Sequence, residues 1–323
     1  MKVLVTGATS LLGETVASNL RARGDVVRVF QRSQGPVGFE QHLGDLTDPA
    51  AVTAAVAGMD AVVHVAARVG VTGPWAAFRE TNIDGTANLL AAARAEGVAR
   101  FVHISSPSVA HYGDPLVGAG AGPANPDKAR GHYSRSKAQA ELLALQESSE
   151  SFPVLVLRPH LIWGPGDTQL VGRIVTRARE GRLATVGTGA ALVDTTYIAN
   201  AADAVVAGLG KAPELAGRVL VVTNGQPRPV AELIGRIVRA AGLEPPSMRV
   251  PYRVAKAGGI AAEKMWDRID RQDDPPMTSF LAEQLATAHW FDQRETRAAL
   301  GWKPQVTLEE GFTKLEEWFA HNG

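Results

Sequence analysis

The chain has no cysteine, which removes a disulfide framework and every thiolate metal site. Its eight histidines show no HxH or HExxH spacing, so no metal site is expected from them. An excess of one charge is also missing, because 33 Lys and Arg balance 33 Asp and Glu. With no net charge and no block of like charges, nothing marks a nucleic-acid or membrane-surface partner. No apolar run approaches the ~18 residues of a spanning helix; the runs near Val27, Val62 and Val154 are far shorter. No basic leader with an apolar core opens the sequence, and the expectation is a cytoplasmic protein acting on a small neutral or apolar molecule.

What is present, over 323 residues, is alternation. "KVLVTG" is an apolar run ending in Gly, "ETVASNLRARG" has helical periodicity, and "DVVRVF" is extended again. "AVVHVAA", "ANLLAAARAEGV", "ARFVHISS", a helix starting near residue 131, and "FPVLVLRP" continue the pattern, each helix stopping near Gly or before Pro. Such alternation predicts an α/β fold of Rossmann type: a doubly wound parallel sheet with sites at the carboxyl ends of its strands. A dinucleotide domain is expected over 1–163. A smaller, interwoven substrate lobe follows over 164–323, with a strand at 219–223 returning to the sheet. The stretch "VGAGAGPANP" at 117–126 reads as a mobile loop.

In "VTGATSLLG", Gly7 and Gly13 stand between a buried strand and a helix, where backbone amides and the helix dipole can receive a pyrophosphate. The middle small position, often Gly, is Ser10. At the end of the next strand, where an NAD enzyme offers a carboxylate to the ribose diol, come Gln31, Arg32 and Ser33. With no carboxylate to repel a 2′-phosphate and a guanidinium to grip it, NADP(H) is favoured over NAD(H), which stays open. Asp45 in "LGDLTD" fits either an acceptor for the adenine amine or a helix cap.

Tyr133 and Lys137 lie four apart at the head of "GHYSRSKAQAELLALQ". On a helix they share a face, so the ammonium can lower the phenol's pKa toward neutrality and make it a usable proton donor; taken alone, the pair reads first as a surface Tyr with a solvated Lys. Upstream, "FVHISSPSVAHYG" runs a strand into a Ser-rich bend at the same sheet edge.

The ordered set "TGATSLLG", "GDLTD", "HVAA", "TNIDGTANLL", "ISSPSV", "YSRSK" and "LRPHLIWGPGD" resembles the extended short-chain dehydrogenase/reductase family, in its epimerase, dehydratase and 3β-hydroxysteroid-dehydrogenase-like branch. The resemblance implies Ser106, Tyr133 and Lys137 as the catalytic set, with Tyr133 as acid/base and Lys137 on the nicotinamide ribose. It implies a dinucleotide lying along Gly7, Thr9, Ser10, Leu11, Leu12 and Gly13, against Asp45 and Leu46, and along Ala66 and Ala67. Asn82, Pro159, Leu161 and Ile162 complete the implied cofactor contacts. Ser105 and Ser108 read first as turn hydroxyls, Ser108 also as a substrate contact. A homodimer through the Asn82 and Tyr133 helices is implied as well.

Val193 stands where sugar-nucleotide members carry a diphosphate-binding Arg, and Trp163 where they carry Tyr. Losing a cationic fork disfavours a nucleotide diphosphate, so an apolar keto or hydroxy substrate is expected. "VDTTYIANAADA" and "PPMTSFLAEQLATAHWFD" are most similar to the branch that reduces 2-alkyl-3-oxoalkanoic acids in long-chain olefin biosynthesis. That implies NADPH-dependent reduction of a 3-keto group, alongside other enzymes of the pathway; a 3β-hydroxysteroid or other apolar alcohol is the alternative substrate. A nucleotide-sugar epimerase and a cofactor-sensing protein without activity are further readings. Arg68 is a candidate partner for a substrate carboxylate, and His160 for polarising the substrate. Val254, Gly258, Ala261, Met265 and Ile269 fall near one helical face, which fits core packing first and otherwise a pocket lid, a partner or a membrane contact.

Overall fold

A computed structural model of the protein describes residues 1–70, 72–269, 275 and 277–322, with the backbone alone at 267 and 269. Among these residues seven strands form the central sheet. They are β1 (Lys2–Thr6), β2 (Val26–Gln31), β3 (Glu40–Leu43), β4 (Ala61–His64), β5 (Arg100–Ile104), β6 (Val154–Pro159) and β7 (Val219–Val222). Their order is β3-β2-β1-β4-β5-β6-β7, and every neighbouring pair is parallel. β1, β4 and β6 are apolar runs buried on both faces, as a sheet covered by helices on each side requires. The strand order reverses between β1 and β4, which opens a crevice at their carboxyl ends.

The second half of the chain is woven into this layer. β7 pairs with β6, and the Ile198–Lys211 helix packs against the Leu11–Ala22 helix. One apolar core runs from Val3 to Leu315 and draws on both halves, whereas Val186, Ala255 and Ala282 form a small separate cluster. No described helix is long and apolar enough to cross a membrane.

Two expectations need correction. The 117–126 stretch is not a free loop: Leu116–Ala119 is a strand parallel to His289–Phe291, within a four-stranded sheet that also holds Leu192–Val193 and Arg228–Pro229. At Gly118, whose φ is +60°, the Trp290 ring passes 3.1 Å from where a Cβ would stand. The second correction concerns the Tyr252–Ile269 helix, whose expected core face looks outward. Val254 is 60% and Met265 50% exposed, and Gly258 and Ala261 are exposed too; the side chain of Ile269 lies outside the described residues. Packing instead uses Ala255 and Gly259, since a Cβ on Gly259 would come 2.5 Å from the Thr278 carbonyl carbon. Close backbone approach, not apolar periodicity, chose the buried face.

Beneath the sheet edge Arg158 and Glu141 are both buried without exposure. Arg158 Nε donates to Glu141 Oε2 at 2.9 Å, and its Nη1 donates to the carbonyls of Ala121 and Gly122. Removing one member strands the other's charge, so Arg158→Met should cost about 3–5 kcal/mol in urea unfolding. A loss under about 1 kcal/mol, as for a surface pair, would show that the pair is not a structural anchor.

Candidate active site

The turn after β1 is tight enough to demand glycine twice. Gly7 has φ +75°, and a Cβ on it would meet the Ala66 Cα at 2.8 Å. A Cβ on Gly13 would meet the Gly7 carbonyl oxygen at 2.3 Å. Ser10 explains its departure from the usual glycine: its hydroxyl donates to the Gly7 carbonyl at 2.7 Å and accepts from the Gly13 amide at 3.1 Å, capping the Leu11–Ala22 helix. Thr9, Ser10, Leu11 and Leu12 at this helix start, with Ala66 and Ala67 after β4, line a cavity of about 1060 Å³. A bare backbone cradle at a helix N-terminus fits the pyrophosphate of a dinucleotide.

At the end of β2, Arg32 reaches the cavity wall, whereas Ser33 is exposed and does not line it. Gln31 is buried and its Nε2 donates to Gln41. Asp45 lines the cavity beside Leu46. Its pKa is lowered first by the Thr47 amide and further by the nearby Arg32 charge, against burial. The helix cap belongs to Asp48, which accepts from the Ala50 and Ala51 amides.

β5 carries the chain to Ser105 and Ser106. Ser106 caps the Pro107–Ala110 turn, its Oγ 2.9 Å from Ser108 Oγ, so Ser108 is tied up in the turn. The Ser105 hydroxyl is buried without a partner. Tyr133 and Lys137 sit on the Gly131–Gln146 helix, and both line the same cavity as Ser106.

Their electrostatics differ from the expected pair. Lys137 is buried and its Nζ donates to the Ile104 carbonyl at 2.6 Å, so its ammonium points to the end of β5. Burial pulls it down to about 8, with Glu141 opposing. The Tyr133 phenol is pushed up by burial, with hydrogen bonding to Ser106 opposing.

Asn82 stands behind the wall. Its Oδ1 accepts from the Arg68 amide at 2.7 Å, and its Nδ2 donates to the Arg68 carbonyl and to Ser136 Oγ, so it braces the β4 loop against the Tyr133 helix. Arg68 lines the cavity, its guanidinium lying 5.2 Å from the Phe78 ring centroid. Pro159, Leu161 and Ile162 line it too. Leu161 holds a left-handed φ of 42°, and its carbonyl accepts from the Thr196 amide. Trp163 is only 1% exposed, stacks on Phe312 at 4.5 Å and donates to Thr195; it is a core pillar more than a cavity surface. His160 donates through Nδ1 to the Asp194 carbonyl at 2.6 Å. Val193 is buried in the wall. Thr81, His111, Thr278, Gln284 and His289 also line the cavity; they lie inside the quoted stretches "TNIDGTANLL", "FVHISSPSVAHYG" and "PPMTSFLAEQLATAHWFD", yet sequence reasoning gave them no role, because the contacts that bring them to one cavity are long-range.

Residues 3–222 match the model of the NAD dependent epimerase/dehydratase family. The chain belongs to this family. It is an NAD(P)-dependent oxidoreductase of the extended short-chain dehydrogenase/reductase type. It is similar to the 2-alkyl-3-oxoalkanoate reductase of Stenotrophomonas maltophilia, at 41% identity over 98% of each chain. The Shewanella oneidensis protein of the same name is 35% identical over 97% of this chain and 84% of its own. The fold is also that of MoeE5 in complex with UDP-glucose and NAD, at 24% identity, 100% and 99% coverage and a TM-score of 0.75.

Within this family site, Lys137 has a testable signature. It titrates at about 8 in the folded chain against 10.5 ordinarily, so the unfolded chain holds more protons between those values and stability rises with pH there. Relative to Lys137→Met, the wild type should gain on the order of 3 kcal/mol in urea unfolding from about pH 8 to 10.5. A difference that stays flat with pH would mean that Lys137 is not a desolvated cation.

Proposed function

We propose that the protein uses NADPH to reduce the 3-keto group of a 2-alkyl-3-oxoalkanoic acid to the 3-hydroxy acid. The observation that carries this reading is the shared wall: Ser106, Tyr133 and Lys137 line one cavity with the dinucleotide turn and with Val193, Leu233, Ile237, Phe280, Leu281 and Phe291. Similarity over the whole chain to two reductases of that name supports the substrate class.

The nicotinamide, when bound, supplies the hydride. The chain's own part is to place the ketone and protonate it. The Tyr133 phenol is protonated at neutral pH, and delivery of its proton becomes favourable only as the ketone oxygen gains negative charge and basicity during hydride transfer. Ser106 hydrogen-bonds the carbonyl oxygen as negative charge develops. Lys137 would hold the nicotinamide ribose from its seat on the Ile104 carbonyl. The wall offers apolar side chains to alkyl groups, and Val193 offers no charge to a diphosphate. Arg32 on the rim, with no carboxylate at the end of β2, supports NADP(H) over NAD(H).

The reading is tested by following NADPH oxidation with a racemic 2-alkyl-3-oxo acid, and by offering a 3β-hydroxysteroid with NADP and UDP-glucose separately. Turnover of either of the last two without the first would overturn it. Tyr133→Phe should lower kcat by about 10²- to 10⁴-fold while NADPH fluorescence still reports binding; unchanged turnover would remove the phenol from the mechanism. Arg32→Ala should raise KM for NADPH by about 10- to 100-fold and leave KM for NADH nearly constant, whereas an equal change in both would end the 2′-phosphate assignment.

A further inference from the structure

Three histidines from separate segments meet on the cavity wall. His111 ends the turn that Ser106 begins, His160 follows β6, and His289 opens the His289–Phe291 strand. Each is more than nine-tenths buried and each lines the cavity. The rings of His160 and His289 are 4.9 Å apart, and those of His111 and His289 are 6.2 Å apart.

Their tautomers follow from their partners. His160 Nδ1 meets the Asp194 carbonyl, and His289 Nε2 meets the Gln284 carbonyl at 2.9 Å. A carbonyl only accepts, so these nitrogens carry hydrogen and the other nitrogen of each neutral ring is a lone pair. The Gln284 side-chain amide donates to His111 Nδ1 at 2.7 Å, which leaves the hydrogen of that ring on Nε2. His289 Nδ1 and His111 Nε2 are buried with no partner. The wall thus shows one unused acceptor and one unused donor.

Burial keeps the group neutral, holding His289 at about 4 and His160 well below the usual histidine value, with neighbouring histidines adding to both. His111 is lowered chiefly by burial and by Arg130, against the Asp114 backbone and the Glu283 and Asp114 carboxylates. Asp194, behind His160, is raised by burial to about 6 and accepts from Thr223 Oγ1.

A buried donor and acceptor left unpaired are costly, and a carboxyl group satisfies both. We propose that this wall holds the carboxyl group of the substrate as a carboxylate that accepts from His111 and pairs with a protonated His289, the proton being drawn from solvent on binding. The assignment rests on the β-keto acid reading above. Arg68 is a further basic group on the cavity, with its guanidinium over the Phe78 ring and its Nε buried without a partner; the variant at this position below separates it from the histidines. The placement also suits the chemistry. A 3-oxo acid loses carbon dioxide readily when its carboxyl proton reaches the 3-keto oxygen; in the proposed pose the acid is a carboxylate paired with an imidazolium, so no carboxyl proton is shared with the keto oxygen, which is left to Ser106 and Tyr133.

The test uses the NADP-loaded enzyme in the oxidative direction, where a 2-alkyl-3-hydroxy acid does not decarboxylate, with the matched secondary alcohol lacking the carboxyl group as control. KM for the acid should rise about tenfold per pH unit between about pH 6 and 8, and KM for the alcohol should stay flat. Calorimetry of the acid in two buffers of different ionisation heat should show uptake of close to one proton. His289→Phe should abolish that uptake and raise KM for the acid about 10- to 100-fold with the alcohol unaffected. His289→Asn, which keeps a polar atom near Nδ1, should recover part of the affinity without the uptake, and Arg68→Met should leave the uptake intact. Binding without proton uptake, equal KM for acid and alcohol, or equal losses on both in the His289 variants would overturn the site while leaving the reductase reading in place. Proton-coupled binding of the acid with no turnover of either alcohol would keep the site and remove that reading.

Discussion

A guanidinium with no exposure stands in β6, and the Tyr133 side of the cavity is arranged around it. Arg158 cannot sit there without partners, because a lone buried charge costs several kcal/mol. It takes Glu141 from the Tyr133 helix and two carbonyls from the segment that joins Ser106 to Tyr133. Glu141 in turn favours the charged form of Lys137, one helical turn before it. A row of buried charges, Lys137, Glu141 and Arg158, therefore sets the helix against the sheet. The height of Tyr133 over the cavity follows from that docking.

At the other end of the cavity the constraint is steric. Gly7, Gly13 and Ala66 bring three backbones together at the point where the strand order reverses, with no room for a larger side chain at the two glycines. The cavity thus has two kinds of wall: a backbone cradle suited to phosphate, and a lobe of apolar side chains interrupted by imidazoles and by Arg173, Arg177 and Arg182. Glu283 joins the lobe to the catalytic helix. It is buried, and it pairs with Arg130 at the head of that helix and with Lys256 at 2.7 Å.

Much of this was legible along the chain wherever neighbours in sequence are neighbours in space. The βα alternation, the glycine turn, the serine bend and the Tyr133–Lys137 helix are local patterns, and local geometry specifies them. The same reasoning failed where partners come from afar. Spacing places Tyr133 and Lys137 on one face, but it cannot show that the ammonium prefers the Ile104 carbonyl over the phenol. Apolar periodicity in the Tyr252–Ile269 helix pointed to the wrong face, because the buried side was selected by the bare Gly259 backbone meeting Thr278.

The amino-acid order by itself determined the doubly wound sheet, the glycine turn and the Tyr133–Lys137 helix, since each follows from periodicity or from residues within a few positions of one another. Only the tertiary structure decided the chemistry of the histidine-bearing wall. His111 closes the turn after β5, His160 follows the six-residue β6, and His289 opens a three-residue strand; three segments far apart in sequence meet there, which leaves no periodic trace. Their neutrality comes from burial, which no residue can announce on its own.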